Sequence, residues 1–316
     1  MIFKLDIWLR AIRFRFLAAS AIGVTCGLAL TIWYQPQNFS LIYAVLTYIG
    51  IFCLHSSVDL LNDYWDFKRG IDLRTKKTKF SGGTGVLPQG LLKPSHVYFA
   101  GIMFLILGLF IGSIFVYFKG FVIAIILLFA ALSIVLYSSK LVNWGLGELF
   151  VGAKGALIVV GTFYVQNTSI NLESVILGII IGLLSSLVLF INSIPDIIPD
   201  KQMGRKTLAI MIEKRSNRFI FAFTIGINIG IYLLTIGFFS TLLNSYISIF
   251  PCILLIPYIV LILYRFKNFL YDFNRVNNDY YISIMANTVL YSRFYGISLI
   301  LGIICAFLYQ TWDRPV

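Results

Sequence analysis

Nine apolar stretches, each close to the roughly 20 residues a helix needs to cross a bilayer, occupy most of this chain. They fall near residues 16–34, 41–61, 96–118, 120–138, 146–165, 173–194, 218–240, 247–264 and 291–311. The pattern predicts an all-α integral membrane protein whose 316 residues form one transmembrane domain. Only 12% of the residues are charged, against about 25% in a soluble domain. The first two stretches read as a tight antiparallel pair whose turn is marked by Pro36 and Asn38. The stretch 146–165 contains Glu148 and Lys154, and an ammonium within a span should face a partner or a cavity.

The basic residues set the orientation. Of 25 Lys and Arg, 21 fall on alternate connections: the N-terminal arm and the segments after the second, fourth, sixth and eighth stretches. The opposite connections hold Lys119 and, at the C-terminus, Arg314. The positive-inside rule then puts the N-terminus and the basic loops in the cytoplasm, and an odd number of spans puts the C-terminus outside. Much of the net charge of +12 is therefore topology signal, and no nucleic-acid partner is implied. The first stretch follows Arg10, Arg13 and Arg15 and is long enough to span, so no cleavable signal is expected. Cys26, Cys53, Cys252 and Cys305 are scattered through apolar surroundings and read as small core residues. His55 and His96 are isolated in the sequence, without ligand spacing.

Against this background the carboxylates are scarce and badly placed for solubility. Five of the 13 Asp and Glu lie in two clusters at the ends of apolar segments: Asn62-Asp63-Tyr64-Trp65-Asp66 with Asp72 beyond, and Asn192-Ser193-Ile194-Pro195-Asp196 with Asp200 beyond. Both clusters place an Asp four residues after an Asn, which puts the two on one helical face. Asp59, Asn62, Asp63 and Asp66 together follow i, i+3, i+4 and i+7. A polar helix end accounts for one or two such charges and not for four, and acids at a helix C-terminus oppose its dipole. A carboxylate near the bilayer centre costs about 2.5–3.5 kcal/mol, so four unpaired ones would cost on the order of 10–14 kcal/mol. Both loops that carry the acids, 67–95 and 195–218, also carry Lys and Arg. Carboxylates beside guanidinium and ammonium groups suit a metal-bound polyanion such as diphosphate.

Lys79 to Gly90 form a glycine-rich loop, whose N–H groups can approach an anion, though a plain flexible loop is equally expected. Pro195 and Pro199 predict that the sixth span kinks or ends there, freeing carbonyls near 191 and 195. Tyr137-Ser138-Ser139-Lys140 closes the fourth span; Tyr137 as an interfacial aromatic and Lys140 as a positive-inside residue are as expected as any functional role.

Taken together the motifs are similar to those of the UbiA-type intramembrane prenyltransferases, over the whole chain. The residues that carry the resemblance are Asn62–Asp72, Phe80–Pro88, Gly145–Glu148, Gly161–Gln166, and Asp196 and Asp200 with Gly204, Thr207 and Leu208. The glycine-rich loop and the Tyr164-Val165-Gln166 segment most resemble the 1,4-dihydroxy-2-naphthoate branch of menaquinone synthesis. Pro195 stands where many members of that branch carry Arg. The resemblance implies the UbiA fold, nine transmembrane helices around a central cavity, in a prokaryotic cell membrane. It implies about two Mg²⁺ ions held by Asn62, Asp63, Asp66, Asp196 and Asp200. Asp66, Asp196 and Asp72 would be catalytic. Asn62, Asn192, Lys68, Tyr137, Lys140, Lys201, Arg205 and Arg13 would bind the diphosphate or the acceptor. The partners implied are a polyprenyl diphosphate donor, an aromatic acceptor and the lipid bilayer.

Two alternatives stay open at this point. One keeps the chemistry and changes the acceptor to another quinone precursor or a glycerol-phosphate ether lipid. The other is an ion transporter with paired acids. A transporter tends to bind near the midplane between inverted repeats, whereas these clusters sit at one end of two parallel helices.

Overall fold

A computed structural model describes residues 2–72, 80, 83–136, 144–213, 217–243, 256, 260, 264 and 278–312. The described elements are helical. In order they are α1 (Ile2–Ala11), α2 (Leu17–Tyr34), α3 (Leu41–Lys68), α4 (Pro94–Lys119), α5 (Phe121–Leu136), α6 (Gly147–Asn167), α7 (Leu172–Ser193), the short α8 (Ile197–Gln202) and α9 (Leu208–Glu213), α10 (Asn217–Leu243) and α11 (Asn278–Trp312). Seven helical segments among the described residues are long and apolar enough to cross a membrane. The α5 helix, expected to span over 120–138, is shorter at 16 residues. The predicted span 247–264 lies almost wholly outside the described residues, as does Tyr137-Ser138-Ser139-Lys140. The last span, expected from residue 291, belongs to a helix that begins at Asn278.

Local chemistry sets the helix ends. Ser40 and Asn171 cap α3 and α7, their side-chain oxygens accepting from the backbone N–H of Tyr43 (3.4 Å) and Ser174 (2.9 Å), the usual role of such residues. Pro94 opens α4, where its missing N–H is no loss. Pro195 removes the N–H that would have bonded the carbonyl of Ile191. Accordingly α7 stops at Ser193, a 3-10 turn covers Ile194–Asp196, and the hydroxyl of Tyr281 on α11 donates to the Ile191 carbonyl at 2.6 Å. The carbonyl expected to be freed has a partner from another helix.

Neighbouring helices pack in sequence, α3 on α4, α4 on α5, α5 on α6, α6 on α7 and α7 on α10, while α2 touches α3, α6 and α7, and α11 returns against α2 and α7. The closest crossing is α6 on α7. A Cβ on Gly182 would come within 2.4 Å of the Gly152 carbonyl, and one on Gly178 within 2.8 Å of the Ala156 carbonyl. Small residues at such spacing let membrane helices approach through their backbones. The α7 helix is the most enclosed: Leu177, Ile180, Leu184, Leu187 and Phe190 are fully buried. Outer faces such as Phe99, Met103, Ile106 and Phe110 of α4 are exposed and apolar, as a lipid-facing surface requires.

The Tyr164-Val165-Gln166 segment lies at the opposite end of the bundle from the acidic motifs. There Gln166 Oε1 accepts from the Ser40 N–H (2.8 Å) and its Nε2 donates to the Ser40 carbonyl (3.1 Å), which ties α6 to the start of α3.

Candidate active site

The acidic motifs open onto one cavity of about 1280 Å³ lined by α1 to α8 and α11. Asn62, Asp66 and Asp72 of the first motif and Asn192, Asp196 and Asp200 of the second all line it. The face predicted for Asn62 and Asp66 is observed: α3 stays helical through Lys68, and Asn62 Nδ2 donates to Asp66 Oδ2 at 3.2 Å. Asn192 and Asp196 reach the same space although the helix between them gives way to the 3-10 turn.

Arg205 joins the two motifs. One terminal nitrogen pairs with Asp66 Oδ1 and the other with Asp200 Oδ1 at 3.2 Å. The guanidinium fork suits two carboxylates at once, and here it spans two helices. Burial raises the pKa of Asp200 above the ordinary carboxylate range, with Arg205 opposing that rise. Asp72 is pushed up to about 8 by burial and then by the charges of Asp63 and Asp66. Its carboxylate lies against the glycine-rich loop: Gly83 has φ +70°, and a Cβ there would fall 2.8 Å from both Asp72 oxygens. Only glycine fits that backbone and that approach.

Asp63, expected among the metal ligands, is turned elsewhere. Its Oδ1 accepts from Arg13 Nη2 at 2.7 Å, and its Oδ2 accepts from the Thr84 N–H (3.3 Å) and the Thr84 hydroxyl. Arg10 Nε also holds the Thr84 carbonyl at 2.8 Å. Asp63 therefore ties the segment after α1, helix α3 and the glycine-rich loop together. Arg13, expected to neutralise diphosphate, lines the cavity yet is committed to Asp63, with Asp59 at 3.9 Å. It occupies the left-handed region at φ 48°, which costs a non-glycine residue about 1–2 kcal/mol; the ion pair offsets that cost.

Lys68 and Lys201 are exposed and do not line the cavity. Lys68 instead lies over the rings of Tyr64 and Trp65, at 5.8 and 5.2 Å from their centroids. An ammonium at the last turn of a helix finds the nearest aromatic faces one turn back, which is why it turns away. Tyr137 and Lys140 lie outside the described residues.

Deeper residues belong to the same cavity. Lys154 of α6 faces it, as an ammonium within a span demands, and so do Asp59, His55 and Ser20. His55 and Ser20 carry no motif, but His55, Asp59, Asn62 and Asp66 fall on one face at steps of four, three and four, and that periodicity was the signal for His55. Much of the rest of the wall is apolar, with Phe115, Ile126, Phe129 and Phe150 among its residues. The last two rings stack with centroids 5.6 Å apart and planes 3° from parallel.

Among the described residues no three His, Cys, Asp or Glu side chains converge into a ready metal cage. The donor set nevertheless fits Mg²⁺, which keeps waters and binds through one or two carboxylates plus substrate phosphates. Asn192 Oδ1 and Asp72 Oδ2 are buried and accept no hydrogen bond among the described residues. Such atoms are costly unless a partner arrives.

A helical membrane bundle with two such motifs around an oxygen-lined, apolar-floored cavity defines an intramembrane enzyme class, and comparison with known proteins agrees. Residues 22–287 match the UbiA prenyltransferase family, and the chain belongs to that family. It is similar to the 1,4-dihydroxy-2-naphthoate octaprenyltransferase of Bacillus subtilis, 31% identical over 62% of each chain. It is also similar to the Haemophilus influenzae protein of that name, 27% identical over 68% of this chain and 72% of the relative. Among solved structures it shares its fold with a digeranylgeranylglyceryl phosphate synthase (TM-score 0.63, 17% identity, 96% of this chain and 99% of the other). It shares it as well with a UbiA homologue from Archaeoglobus fulgidus bound to GPP and Mg²⁺ (TM-score 0.62, 15% identity, 93% and 99% covered).

Proposed function

We propose that this protein transfers a polyprenyl group from a polyprenyl diphosphate to 1,4-dihydroxy-2-naphthoate, with Mg²⁺, in menaquinone biosynthesis. The observation that carries the reading is the shared cavity, in which both Asn-x-x-x-Asp pairs meet above an apolar floor. The naphthoate acceptor draws support from the names of the Bacillus and Haemophilus relatives.

Asn62, Asp66, Asn192, Asp196 and Asp200 would hold about two Mg²⁺ ions. When bound, the metal supplies positive charge against the diphosphate oxygens. Arg205 exchanges carboxylate for phosphate oxygens, since its planar fork fits either, and so stabilises negative charge as the leaving group develops it. Asp72, resting on Gly83, orients the loop side of the pocket. The carbon released from diphosphate becomes an allylic cation, and Phe129 and Phe150 offer it ring faces and shield it from water. The same apolar wall takes the prenyl tail. With the carbon–oxygen bond to diphosphate already broken and its electron pair on the leaving group, the electron-rich ring of the acceptor attacks the cation and forms the new carbon–carbon bond. The ring regains aromaticity by losing what the attacked carbon carried, a proton or, at the carboxylate-bearing carbon, CO₂. In this reading the N-terminus and the motif-bearing end face the cytoplasm of a prokaryotic cell.

The test is a transfer assay with purified protein, radiolabelled geranylgeranyl diphosphate and a panel of acceptors. Prenylated product from dihydroxynaphthoate, dependent on Mg²⁺ and lost with EDTA, is expected. Turnover of another acceptor alone would reassign the substrate, and turnover unchanged by EDTA would remove the metal.

A further inference from the structure

Below the Asn62–Asp66 pair the same face of α3 carries a second polar layer that donor binding leaves without a task. Asp59 lies two turns before Asp66, about 10 Å along the helix axis at 1.5 Å per residue. His55 Nδ1 and Ser20 Oγ are 2.7 Å apart, and His55 Nε2 is 3.7 Å from Asp59 Oδ2. Lys154 enters the cavity from α6. It acts electrostatically on both Asp59 and His55, yet makes no ion pair or hydrogen bond among the described residues. Asp59 Oδ2 is buried and accepts no hydrogen bond among them either.

An ammonium inside a membrane bundle without a carboxylate at contact distance calls for an anion. A buried carboxylate oxygen without a donor calls for a hydroxyl or N–H. The two demands face one space, just under the level at which Arg205 gathers the upper acids. A diphosphate held at that upper level directs its first carbon downward, so a molecule attacking that carbon must sit between the layers.

We propose that Lys154 and Asp59, with His55 held by Ser20, form the acceptor subsite, which selects a ring bearing both a carboxylate and a hydroxyl. Lys154 pairs with the carboxylate, and Asp59 accepts the proton of a ring hydroxyl as a hydrogen bond. His55, 3.7 Å from Asp59 Oδ2, lies beside the oxygen that meets the ring. The inference rests on the proposed transfer to a hydroxylated aromatic acid and names the side chains that recognise it.

The test compares 1,4-dihydroxy-2-naphthoate with naphthalene-1,4-diol as acceptors for the full-length protein in nanodiscs. Lys154→Gln is expected to raise the KM for the naphthoate about tenfold or more, the scale of a lost charge-assisted hydrogen bond. The KM for the diphosphate donor stays within about twofold, and the preference for the carboxylated acceptor disappears. Lys154→Arg keeps part of that preference. Asp59→Asn, which leaves Lys154 in place, raises the KM for both acceptors and keeps the preference, so the inference remains testable if Lys154→Gln fails to fold. A donor KM that rises with Lys154→Gln, or a carboxylate preference that survives it, overturns the assignment. If the wild type prenylates only a different hydroxylated aromatic acid, the naphthoate reading fails while the Lys154 comparison is made with that acid. If it accepts only uncharged acceptors, the subsite falls.

Discussion

The two acidic motifs share a spacing and differ in backbone. The first lies on an unbroken helix, so its acids fan around α3: Asp66 looks into the cavity, and Asp63 looks away to Arg13 and Thr84. The second follows a helix stopped by Pro195, and the 3-10 turn and α8 deliver both Asp196 and Asp200 to the cavity. One motif spends an acid on holding the fold together, while the other presents both. An Asn-x-x-x-Asp pair is therefore a statement about one face of a chain, and a neighbouring acid on that chain carries no role until its partner is known.

The largest effects should come from the cavity-facing acids. Asp66→Ala and Asp196→Ala should each lower turnover by at least about a hundredfold, the scale of removing one group that stabilises developing charge; Asp66→Ala, which also takes a partner from Arg205, lowers thermal stability as well. If either keeps half its activity, the two motifs are not equivalent in function. Asp63→Ala should do the reverse in kind. It takes from Arg13 its 2.7 Å partner and leaves the 3.9 Å contact with Asp59, and it frees the glycine-rich loop from α3, so thermal unfolding shifts down in the metal-free protein. A stable Asp63→Ala that has lost metal binding would return Asp63 to the ligand set.

Next in size is a pH effect at Asp72. Its carboxyl is raised to about 8, first by burial. Because the folded value lies above the unfolded one, the folded state holds an extra proton between them, so this group's contribution to stability is lost as pH rises through about 8. A cation bound beside Asp66 favours the ionised form of its neighbour Asp72, so Mn²⁺ affinity measured by titration should rise from pH 6.5 toward 8.5 and proton release should accompany binding. A flat profile would separate Asp72 from the metal region. The smallest effect is expected at Lys68 and Lys201, which are exposed and stand outside the cavity: alanine at either should change donor KM by less than about threefold, as surface charges do.

The helices were legible because hydrocarbon demands long apolar runs, and the cavity face of α3 was legible because side chains four apart meet. What the spacing could not resolve was direction over distance. Asp63 and Asp66 differ by less than a turn, and what separates them is Arg13, 50 residues earlier, and Thr84, 21 later. His55 looked isolated because its partner Ser20 lies 35 residues away on α2. The resemblance implied Lys68 as a diphosphate ligand, yet its turn of helix places it over Tyr64 and Trp65. The helix α1 was absent from the span count because Ile2–Ala11 is too short to cross a bilayer.

The most direct measurement is calorimetric binding of a non-reactive polyprenyl thiolodiphosphate, with and without Mg²⁺, to the wild type, Asp66→Ala, Asp196→Ala and the double variant. One shared metal–diphosphate site predicts that Mg²⁺ tightens binding in the wild type, that either single change removes the enhancement, and that the double change adds nothing. Enhancement that survives in one single variant, or that falls in two independent halves, would mean that the motifs serve separate sites.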